Sequence, residues 1–423
     1  MDRKISKYLM LIFFLCFGLQ FCPVTCAKEN LNLTTDKSTH PVIAGMSETR
    51  DALRKITSGL PNQKRQRSGK TVLYYIGMPG YNRYRIPSLI VTKKGTLLAF
   101  CEGRSGGDSG DIDTLVRRSE DGGDTWSKYQ VVWSDSSNTF GNPCPVVDQI
   151  TGRIYLLSTW NLGTDNESQI ISWKSKDVRH PYVCYCDDDG KTWSKPVCIS
   201  DIARLDDWRW YATGPGIGIQ IKWGKYTGRL VIPCDHSYTE TRDDVFKRNN
   251  KYGYGSHVIY SDDHGRTWQI SETITPGCNE SQVVELSDGS LMMNMRSYNG
   301  KQCRAVSISK DGGQSWSEIT HDRTLIEPVC QASMVTYSYG NNNLILFSNP
   351  ADKKSRIRMT VRLSFDDGRT WPVCRILHDG PAAYSCLAVL ENGEIACFYE
   401  AGEKSPYETM IFEKFTLEWL SGQ

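Results

Sequence analysis

Residues 119–126 read SEDGGDTW, and this short pattern returns four more times along the chain. The later copies are CDDDGKTW at 186–193, SDDHGRTW at 261–268, SKDGGQSW at 309–316 and SFDDGRTW at 364–371. In each box, as we call these segments, Asp and Ser side chains can hydrogen-bond a tight turn, Gly accepts positive φ, and Trp can pack on the adjoining strands. The boxes are therefore predicted to be structural turns. They lack the alternate-position ligands and closing Glu of an EF-hand calcium loop.

A second repeated pattern is a pair of apolar strands joined by a Gly or Asn turn. Its six copies are VTKKGTLLAF, VDQITGRIYLLS, GKYTGRLVIP, VELSDGSLMMN, YSYGNNNLILF and VLENGEIACFY, with turns near residues 95, 152, 228, 289, 341 and 393. Units of roughly 50 to 75 residues have the size of propeller blades. The sequence predicts an all-β fold, a six-bladed β-propeller. The strand at 71–77 is free to pair with the last unit and close the ring.

The N-terminal residues have a different composition from the rest of the chain. Residues 1–27 combine a basic start, an apolar stretch at 9–21 and small residues before position 28, which predicts a signal peptide. A retained membrane anchor and a lipidated cysteine are the alternatives. Residues 28–69 are polar and are interpreted as a linker with one short helix around 46–56. The folded domain is predicted to be 70–423, exported to the periplasm, cell surface or medium, with no membrane span in the mature chain.

Charge and cysteine content exclude several classes of function. With 50 basic and 48 acidic residues, the net charge of +2 creates no overall field that would gather nucleic acid. Twelve of the 15 cysteines lie beyond residue 27, and their spacing assigns no disulfide pairs. Neither the cysteines nor the seven dispersed histidines have the spacing of a zinc site. We therefore predict no metal and no cofactor.

Polar residues recur at the open ends of three hairpins. In a hairpin, residues equally distant from the turn lie side by side, so Arg85 is expected beside Arg104, Glu280 beside Arg296 and Tyr384 beside Glu400. These side chains should emerge at one end of the fold, while the boxes lie at the other. Their convergence predicts a pocket for an anion.

Four sequence features together resemble the exo-sialidases of glycoside hydrolase family 33. They are YRIP at 84–87, the five boxes, TGPG at 213–216 and NESQVVELSDGSLMMNMRS at 279–297. The resemblance covers about residues 70–420. It implies a six-bladed propeller that removes terminal sialic acids from glycoproteins, glycolipids or oligosaccharides without a cofactor.

The resemblance also implies roles for individual residues. Arg85, Arg296 and one arginine of KKSRIRMTVRLSF at 353–365 match the three arginines that hold the sialic acid carboxylate. Arg356 is preferred as the third from its offset to MTVRLSF. Arg358 stays an alternative, since residues two apart on a strand share a face. Planar guanidinium groups suit a carboxylate because they donate paired hydrogen bonds.

Tyr384 matches the family nucleophile, Glu280 its partner base and Asp108 the acid/base. A phenol suits this chemistry because the anomeric carbon of a sialoside carries a carboxylate, which would repel a carboxylate nucleophile. Asp111 and Asp113 are the alternatives to Asp108. Arg104 is expected at the sugar hydroxyls, and the aromatic residues of 206–216 are expected to wall the pocket.

These features predict a retaining exo-α-sialidase. A trans-sialidase would use the same residues but transfer the sugar to an acceptor. A non-catalytic sialic-acid-binding propeller would be expected to lack the tyrosine, the glutamate or the aspartate. The sequence leaves linkage preference and oligomeric state open. A glycan on Asn279, which lies in a sequon, would crowd Glu280, so this asparagine is expected to be unmodified.

Overall fold

The computed structural model describes residues 66–239, 253–339 and 342–422. These residues belong to one compact unit, Asp36–Gln423. The predicted signal peptide at 1–27 and the helix predicted at 46–56 lie outside the described residues. The predicted linker at 28–69 overlaps them only at 66–69, where Arg67 forms a β-bridge with Phe415.

The described residues are dominated by β-strands, as the sequence predicted. In chain order the strands are β1 Thr71–Tyr75, β2 Arg83–Val91, β3 Leu97–Arg104, β4 Ile112–Ser119, β5 Gln130–Trp133, β6 Thr139–Val147, β7 Ile154–Asn161, β8 His180–Cys186, β9 Val197–Cys198, β10 Tyr211–Thr213, β11 Ile219–Gln220, β12 Leu230–Tyr238, β13 Gly253–Ser261, β14 Gln269–Ile270, β15 Cys278–Glu285, β16 Leu291–Ser297, β17 Cys303–Ser309, β18 Thr320–Ile326, β19 Ser333–Tyr339, β20 Asn342–Pro350, β21 Ile357–Ser364, β22 Val373–Val389, β23 Ile395–Ala401 and β24 Thr409–Phe415. Three short helices accompany them: α1 Glu167–Ile171, α2 Ser200–Ala203 and α3 Leu417–Ser421. A 3₁₀ turn spans Gly224–Tyr226.

The strands pair into four sheets. One has the order β2-β3-β4-β6-β7-β8-β9, with β5 also on β4; a second has β10-β12-β13-β14, with β11 also on β12; a third is β15-β16-β17-β18; and a fourth is β1-β24-β23-β22-β21-β20-β19. Neighbouring strands are antiparallel, apart from one parallel contact between β4 and β6. Strand β22 is long because its first half pairs with β21 and its second half with β23.

The first described strand pairs with the last one. Thr71 lies opposite Phe412 and Tyr75 opposite Thr409, so β1 covers the edge of β24. This pairing confirms the predicted contact between the strand at 71–77 and the last repeat. The two ends of the described chain are held together by backbone hydrogen bonds, which leaves the edge of β24 protected.

The predicted hairpin turns lie where the sequence placed them. Glycines 95, 152, 228, 289 and 393 have φ values between +81° and +92°, a conformation that only glycine adopts without strain. The turn predicted near 341 falls on residues outside the described ranges. Turn positions could be predicted because they depend on local chemistry alone.

The boxes are self-bonded turns, also as predicted. In the first, the Ser119 hydroxyl donates to Asp121 and accepts from the backbone N–H of Gly123 at 2.8 Å, while Asp121 accepts from the backbone N–H of Thr125 at 2.9 Å. The other boxes with serine repeat these bonds. In the second box, the Cys186 sulfur accepts from the N–H of Gly190 at 2.9 Å. The cysteine thus takes over the contacts that serine makes elsewhere.

The box tryptophans pack on aromatic side chains of the strands. Ring centroids lie 5.0 Å apart for Trp126 and Phe412 and 5.6 Å for Trp193 and Phe100. Trp126 follows β4, so this contact connects the first sheet in the chain to β24, the last strand. These contacts bury apolar area between sheets, the main favourable contribution to folding.

The boxes and the predicted polar residues lie at opposite ends of the strands. In the β3–β4 pair, Leu97 faces Ser119 of the first box, whereas Arg104 at the other end faces Ile112. This arrangement follows from antiparallel pairing. Strand β3 runs from the box end to the polar end of the sheet, and β4 runs back to the box end.

One predicted register is wrong. Arg85 lies opposite Glu102, and Arg104 lies opposite Arg83, so Arg85 and Arg104 are not cross-strand neighbours. The register shifts between Arg85 and Ser88, where Ile86 has a φ of +63°. A β-bulge of this kind adds a residue to one strand and displaces every residue beyond it.

The described part of the chain shows no disulfide, no metal-binding cluster and no membrane-spanning helix. All twelve of their cysteines are free thiols. No group of three or more His, Cys, Asp or Glu side chains in the described ranges could hold a metal ion. No helix in this part of the chain is long and apolar enough to cross a membrane.

Candidate active site

A cavity of about 580 Å³ opens at the end of the strands opposite the boxes. Its walls come from several strands, including β2, β3, β6, β12, β15, β16 and β22, and they are mostly polar. All seven predicted site residues line the cavity: Arg85, Arg104, Asp108, Glu280, Arg296, Arg356 and Tyr384. A cavity of this size can enclose one sugar residue.

Tyr384 and Glu280 are joined by a direct hydrogen bond in the cavity. The Tyr384 hydroxyl donates to Oε1 of Glu280 at 2.5 Å. Nη1 of Arg296 donates to Oε2 of Glu280 at 2.7 Å and to Oη of Tyr384 at 3.2 Å. Burial and the negative charge of Glu280 raise the pKa of Tyr384, while Arg296 and Arg356 oppose that rise. The raised pKa keeps the phenol protonated, with a carboxylate in position to accept its proton.

The strand register places the expected neighbours next to Glu280 and Tyr384. Ser281 pairs with Met295, and Arg296 lies beyond this pair on the same side as Glu280. Ser385 pairs with Tyr399, which brings Glu400 next to Tyr384. The backbone N–H of Tyr384 donates to Glu400 at 3.2 Å. Both predicted neighbour pairs are therefore confirmed.

Glu400 fixes Arg85 from behind the cavity. Nε and Nη2 of Arg85 donate to the two Glu400 oxygens at 3.0 and 3.1 Å, and the N–H of Ile86 donates to Glu400 at 2.8 Å. The Arg85 guanidinium also lies over the rings of Tyr407 and Tyr384, 4.2 and 5.1 Å from their centroids. Burial lowers the pKa of Arg85, but the charge and hydrogen bonds of Glu400 together with Tyr384 and Tyr407 outweigh it, and the pKa is raised. Arg85 is thus a fixed cation.

Arg356, rather than Arg358, belongs to the cavity. Nη1 of Arg356 donates to the Tyr407 hydroxyl at 2.9 Å, and its guanidinium lies 5.6 Å from the Tyr384 ring centroid. Arg358 instead faces Asp379 at 3.5 Å, with both side chains about half exposed. Arg358 has a φ of +63°, and the register shifts between Ile357 and Met359, so regular strand alternation does not hold here. On a regular strand the two arginines would share a face, and this irregularity is what directs them to different surroundings.

Asp108 reaches over the cavity from the loop between β3 and β4. Its carboxylate forms a short hydrogen bond with Nη1 of Arg104 and lies 3.4 Å from Nη1 of Arg85. Its side chain is 86% exposed. Burial opposes the effect, but Arg104 and Arg85 together hold the pKa of Asp108 below its ordinary value. Arg104 itself is anchored by Glu102, which accepts from its Nε at 2.7 Å.

The two alternatives to Asp108 do not line the cavity. Asp111 accepts from the Ser105 hydroxyl at 2.7 Å within the loop. Asp113 is buried and accepts from the Tyr81 hydroxyl at 2.5 Å. Burial raises the pKa of Asp113. Both carboxylates are therefore occupied with holding the loop in place.

The wall across from Arg85 contains residues that the sequence did not single out. Asp235 is 1% exposed and accepts from the Asn279 amide at 2.9 Å. Burial, with the charges of Glu280 and Glu167, raises the pKa of Asp235 well above its ordinary value. The raised pKa favours the protonated form of Asp235, which can both donate and accept a hydrogen bond. Asn279 is almost fully buried, and its side-chain amide is held in this contact.

Arg179 and Trp210 form the rest of this wall. The Arg179 guanidinium lies 4.2 Å from the Trp210 ring centroid, and its Nη2 donates to Asn142 at 2.7 Å. Burial lowers the pKa of Arg179 to about 10. Among the aromatic residues expected to wall the cavity, Trp210 does so, whereas Trp208 and Tyr211 are buried in the core beneath it.

Comparisons with known proteins agree with this geometry. Residues 95–397 match the BNR repeat-like domain. The chain is 35% identical over 360 residues to a sialidase of Micromonospora viridifaciens, covering 82% of this chain and 53% of that protein. It is 33% identical over 343 residues to a sialidase of Bacteroides fragilis strain YCH46, covering 75% and 60% respectively.

The chain belongs to the sialidase family. A solved structure of a Hadza microbial sialidase superposes on this sialidase-family chain with a TM-score of 0.72 and 30% identity, covering 83% of this chain and 69% of the other. The chain spans between about half and two thirds of the length of the two curated sialidases, so those proteins contain further regions.

Not every residue of the site in this sialidase-family chain could be found from sequence. Glu400 was reached through hairpin register, because it faces Tyr384 across a regular turn. Arg179 and Asp235 carry no motif of their own, and their neighbours in space lie far away in the chain. The contact between a buried charged residue and an aromatic side chain forms only when the strands assemble, so the sequence alone does not reveal it.

Proposed function

We propose that this protein is a retaining exo-α-sialidase that hydrolyses terminal α-linked sialic acids from glycoproteins, glycolipids or oligosaccharides. The observation that carries the proposal is the 2.5 Å hydrogen bond from Tyr384 to Glu280 beside the buried guanidinium of Arg85. A phenol paired with a carboxylate is a general-base-activated nucleophile, and fixed arginines are receptors for a carboxylate. A substrate that needs both has its carboxylate next to the reacting carbon, as a sialoside does.

The substrate carboxylate would bind between Arg85, Arg296 and Arg356. Nη1 of Arg85 faces only the exposed Asp108 carboxylate at 3.4 Å, so this donor can turn to a ligand. Nε of Arg296 is buried without a hydrogen-bond partner among the described residues. A buried unpaired donor costs about 1 to 3 kcal/mol. A bound carboxylate that pairs with it recovers that cost, which favours anionic sugars over neutral ones.

Two displacements at the anomeric carbon give retention. In the first, Glu280 takes the Tyr384 proton while the phenolic oxygen attacks C2, and Asp108 protonates the departing glycosidic oxygen. In the second, the Asp108 carboxylate takes a proton from water, and that water attacks C2. The bond between C2 and Tyr384 then breaks, and Glu280 returns the proton to the phenolic oxygen. Each step transfers a proton between named groups, so no cofactor is required.

We also propose that the sheets form six blades around the axis of the cavity. The pairing can be grouped into six consecutive antiparallel units: β2–β5, β6–β9, β10–β14, β15–β18, β19 to the first half of β22, and the second half of β22 to β24 with β1. The pairing of β1 with β24 supports ring closure in this grouping. Export through the signal peptide expected at 1–27 would bring the enzyme to extracellular glycans.

The test is release of sialic acid from a fluorogenic α-sialoside, followed by rapid NMR of the product. The unsubstituted protein should release α-sialic acid first, and Tyr384→Phe should lose at least 1,000-fold in kcat, as expected when a nucleophile is removed. Tyr185→Phe is the matched control, because the Tyr185 side chain is exposed on β8 and does not line the cavity, and it should retain full activity. First-formed β-product would disprove retention. No turnover by the folded protein on any linkage would leave a binding protein, and a predominance of transfer to added lactose would indicate a trans-sialidase.

A further inference from the structure

Four polar side chains form a continuous chain of contacts that does not line the cavity. The Cys198 sulfur lies 3.2 Å from Oγ of Ser200, and this Oγ lies 2.8 Å from Nδ1 of His180. Nε2 of His180 lies 3.2 Å from Oδ1 of Asp177. The order is nucleophile, hydroxyl bridge, base and a carboxylate that orients the base. A nucleophile beside a base that a third group orients is the usual arrangement of an activated side chain.

Cys198 differs from the other cysteines of the described chain in its exposure. It is exposed, Cys374 is intermediate, and the ten others are buried. Its strand β9 is only two residues long and ends the sheet beside Tyr182 and Val183 of β8. Three large apolar side chains within seven residues of it, Val197, Ile202 and Leu205, are also exposed, at 47 to 60%. Small molecules can therefore reach this thiol.

The surroundings of the thiol favour its anion. Burial of the sulfur opposes ionisation, but hydrogen bonds from His180 and Ser200 lower the pKa of Cys198 to about 7. Contacts with Cys198 and Asp177 in turn raise the pKa of His180. Tyr182, on the neighbouring strand, is the other titratable group that interacts with Cys198, and burial raises its pKa so that it stays neutral. At neutral pH the pair can exist as thiolate and imidazolium.

We propose that Cys198 is a modification site that forms a mixed disulfide with low-molecular-weight disulfides. In the reaction, the Cys198 proton passes to His180 through the Ser200 hydroxyl, and Asp177 stabilises the resulting imidazolium. The thiolate attacks one sulfur of the disulfide RSSR, a new bond forms between Cys198 and SR, and the old S–S bond breaks with release of RS⁻. The attacking electron pair ends on the leaving thiolate, so no other oxidant is needed. A thiol reverses the modification.

The pH dependence of alkylation by iodoacetamide tests the proposal most directly. The rate at pH 7 discriminates poorly, because a thiol with low pKa is also less nucleophilic, which leaves an advantage of only about threefold over an ordinary thiol. The midpoint of the pH profile depends on the thiol pKa alone, so the lower nucleophilicity does not affect it. Mass spectrometry of the peptide that contains Cys198 should give a midpoint near pH 7. Cys374, followed in the same sample, serves as an internal thiol control.

Two variants separate the contact chain from mere exposure. His180→Gln removes the base and Ser200→Ala removes the bridge, and each should move the Cys198 midpoint upward by at least one pH unit. Exposure alone would leave it unchanged. Far-ultraviolet circular dichroism checks the fold, and if one variant fails to fold the other still decides. A midpoint at or above about pH 8.5 in the unsubstituted protein, the value of an ordinary thiol, would overturn the proposal.

The modification itself is tested with oxidised glutathione at pH 7.5. The expected product carries one glutathione on the Cys198 peptide and loses it on addition of dithiothreitol. Cys198→Ser should abolish this product. Faster modification of Cys374, or no modification of Cys198, would overturn the proposal. The test needs no sialoside, so its outcome is independent of the function proposed for the cavity.

Discussion

Asp108 lies 3.4 Å from Nη1 of Arg85, the guanidinium that the proposed mechanism assigns to the substrate carboxylate. The protein's own carboxylate therefore faces the proposed anion receptor. Arg104 and Arg85 keep the pKa of Asp108 low, and a general acid with a low pKa is ionised when it should donate a proton. In the proposed mechanism substrate binding weakens this conflict, because the incoming carboxylate would offset the charge of Arg85.

This relationship predicts two different pH profiles. Asp108 needs to be protonated for the first displacement, so activity falls as pH rises through its pKa. The profile of kcat/KM reports the free enzyme and that of kcat the complex. We expect the fall in kcat to occur at a higher pH than the fall in kcat/KM, provided that glycoside cleavage limits both. Coincident falls for a substrate with a poor leaving group would contradict a substrate-induced rise in the pKa of Asp108.

Asp108→Asn should separate substrates by leaving group. A natural sialoside with a sugar leaving group needs protonation and should lose about 10²- to 10⁴-fold in kcat, the usual contribution of a general acid. An aryl sialoside with an acidic phenol should lose much less in the first displacement, which single-turnover fluorescence measures. Asp111→Asn in the same loop is the control, because an amide oxygen can still accept from the Ser105 hydroxyl, and it should leave both rates within twofold. Equal losses on both substrates in the Asp108 variant would exclude the acid role.

The two candidate arginines of β21 and its approach provide a matched pair. Arg356→Ala removes a cation from the cavity, and charge-assisted hydrogen bonds are worth about 1.5 to 3 kcal/mol, so kcat/KM should fall about 10- to 150-fold. Arg358→Ala removes a side chain that is half exposed and faces Asp379, and kcat/KM should change less than twofold. Steady-state kinetics on one sialoside decides between them. A larger loss in the Arg358 variant would reverse the assignment.

The contrast between these arginines shows where sequence reasoning reached its limit. The turns and boxes could be predicted because each depends on a few consecutive residues. The pairs Glu280 with Arg296 and Tyr384 with Glu400 could be predicted because register counts outward from a known turn. Arg85 with Arg104 was wrong for two reasons. Next to the turn Val91 pairs with Leu97 and not with Leu98, so the count began one residue off, and the bulge at Ile86, which the count cannot detect, shifts the register by one more residue. The wall with Arg179 and Asp235 depends on assembly of separate sheets, which no local pattern specifies.

Glu400 should matter to both folding and substrate binding. It is fully buried and accepts four hydrogen bonds, from Nε and Nη2 of Arg85 and from the backbone N–H groups of Ile86 and Tyr384. Glu400→Gln leaves the Arg85 charge buried without its partner, and breaking such a pair costs about 3 to 5 kcal/mol. Urea denaturation should show this loss in the free energy of unfolding.

The same substitution should raise KM more than it lowers kcat at a temperature where the variant remains folded. Glu400 touches Arg85, which holds the substrate, and does not contact the proposed leaving group. Glu403→Gln, on the nearby surface, is the control and should match the unsubstituted protein in both measurements. A variant as stable as the parent with unchanged KM would show that Glu400 does not position Arg85.

The second box offers a test of its sulfur contacts by stability. Cys186 accepts from the N–H of Gly190 at 2.9 Å and lies 3.0 Å from Asp188, contacts that a serine hydroxyl makes in the other four boxes. Cys186→Ser should therefore keep the free energy of unfolding within about 0.5 kcal/mol, or raise it by up to about 1 kcal/mol, because hydroxyl hydrogen bonds replace weaker thiol ones.

Cys184→Ser, two residues earlier on β8, is the matched control. Cys184 and Cys186 both belong to one apolar cluster, but the turn hydrogen bonds belong to Cys186, so a hydroxyl at position 184 should cost about 1 to 3 kcal/mol. Both values come from urea midpoints at unchanged m-value. An equal loss in the two variants would mean that the Cys186 sulfur contributes packing alone and that this turn is held by its Asp, Gly and Thr residues.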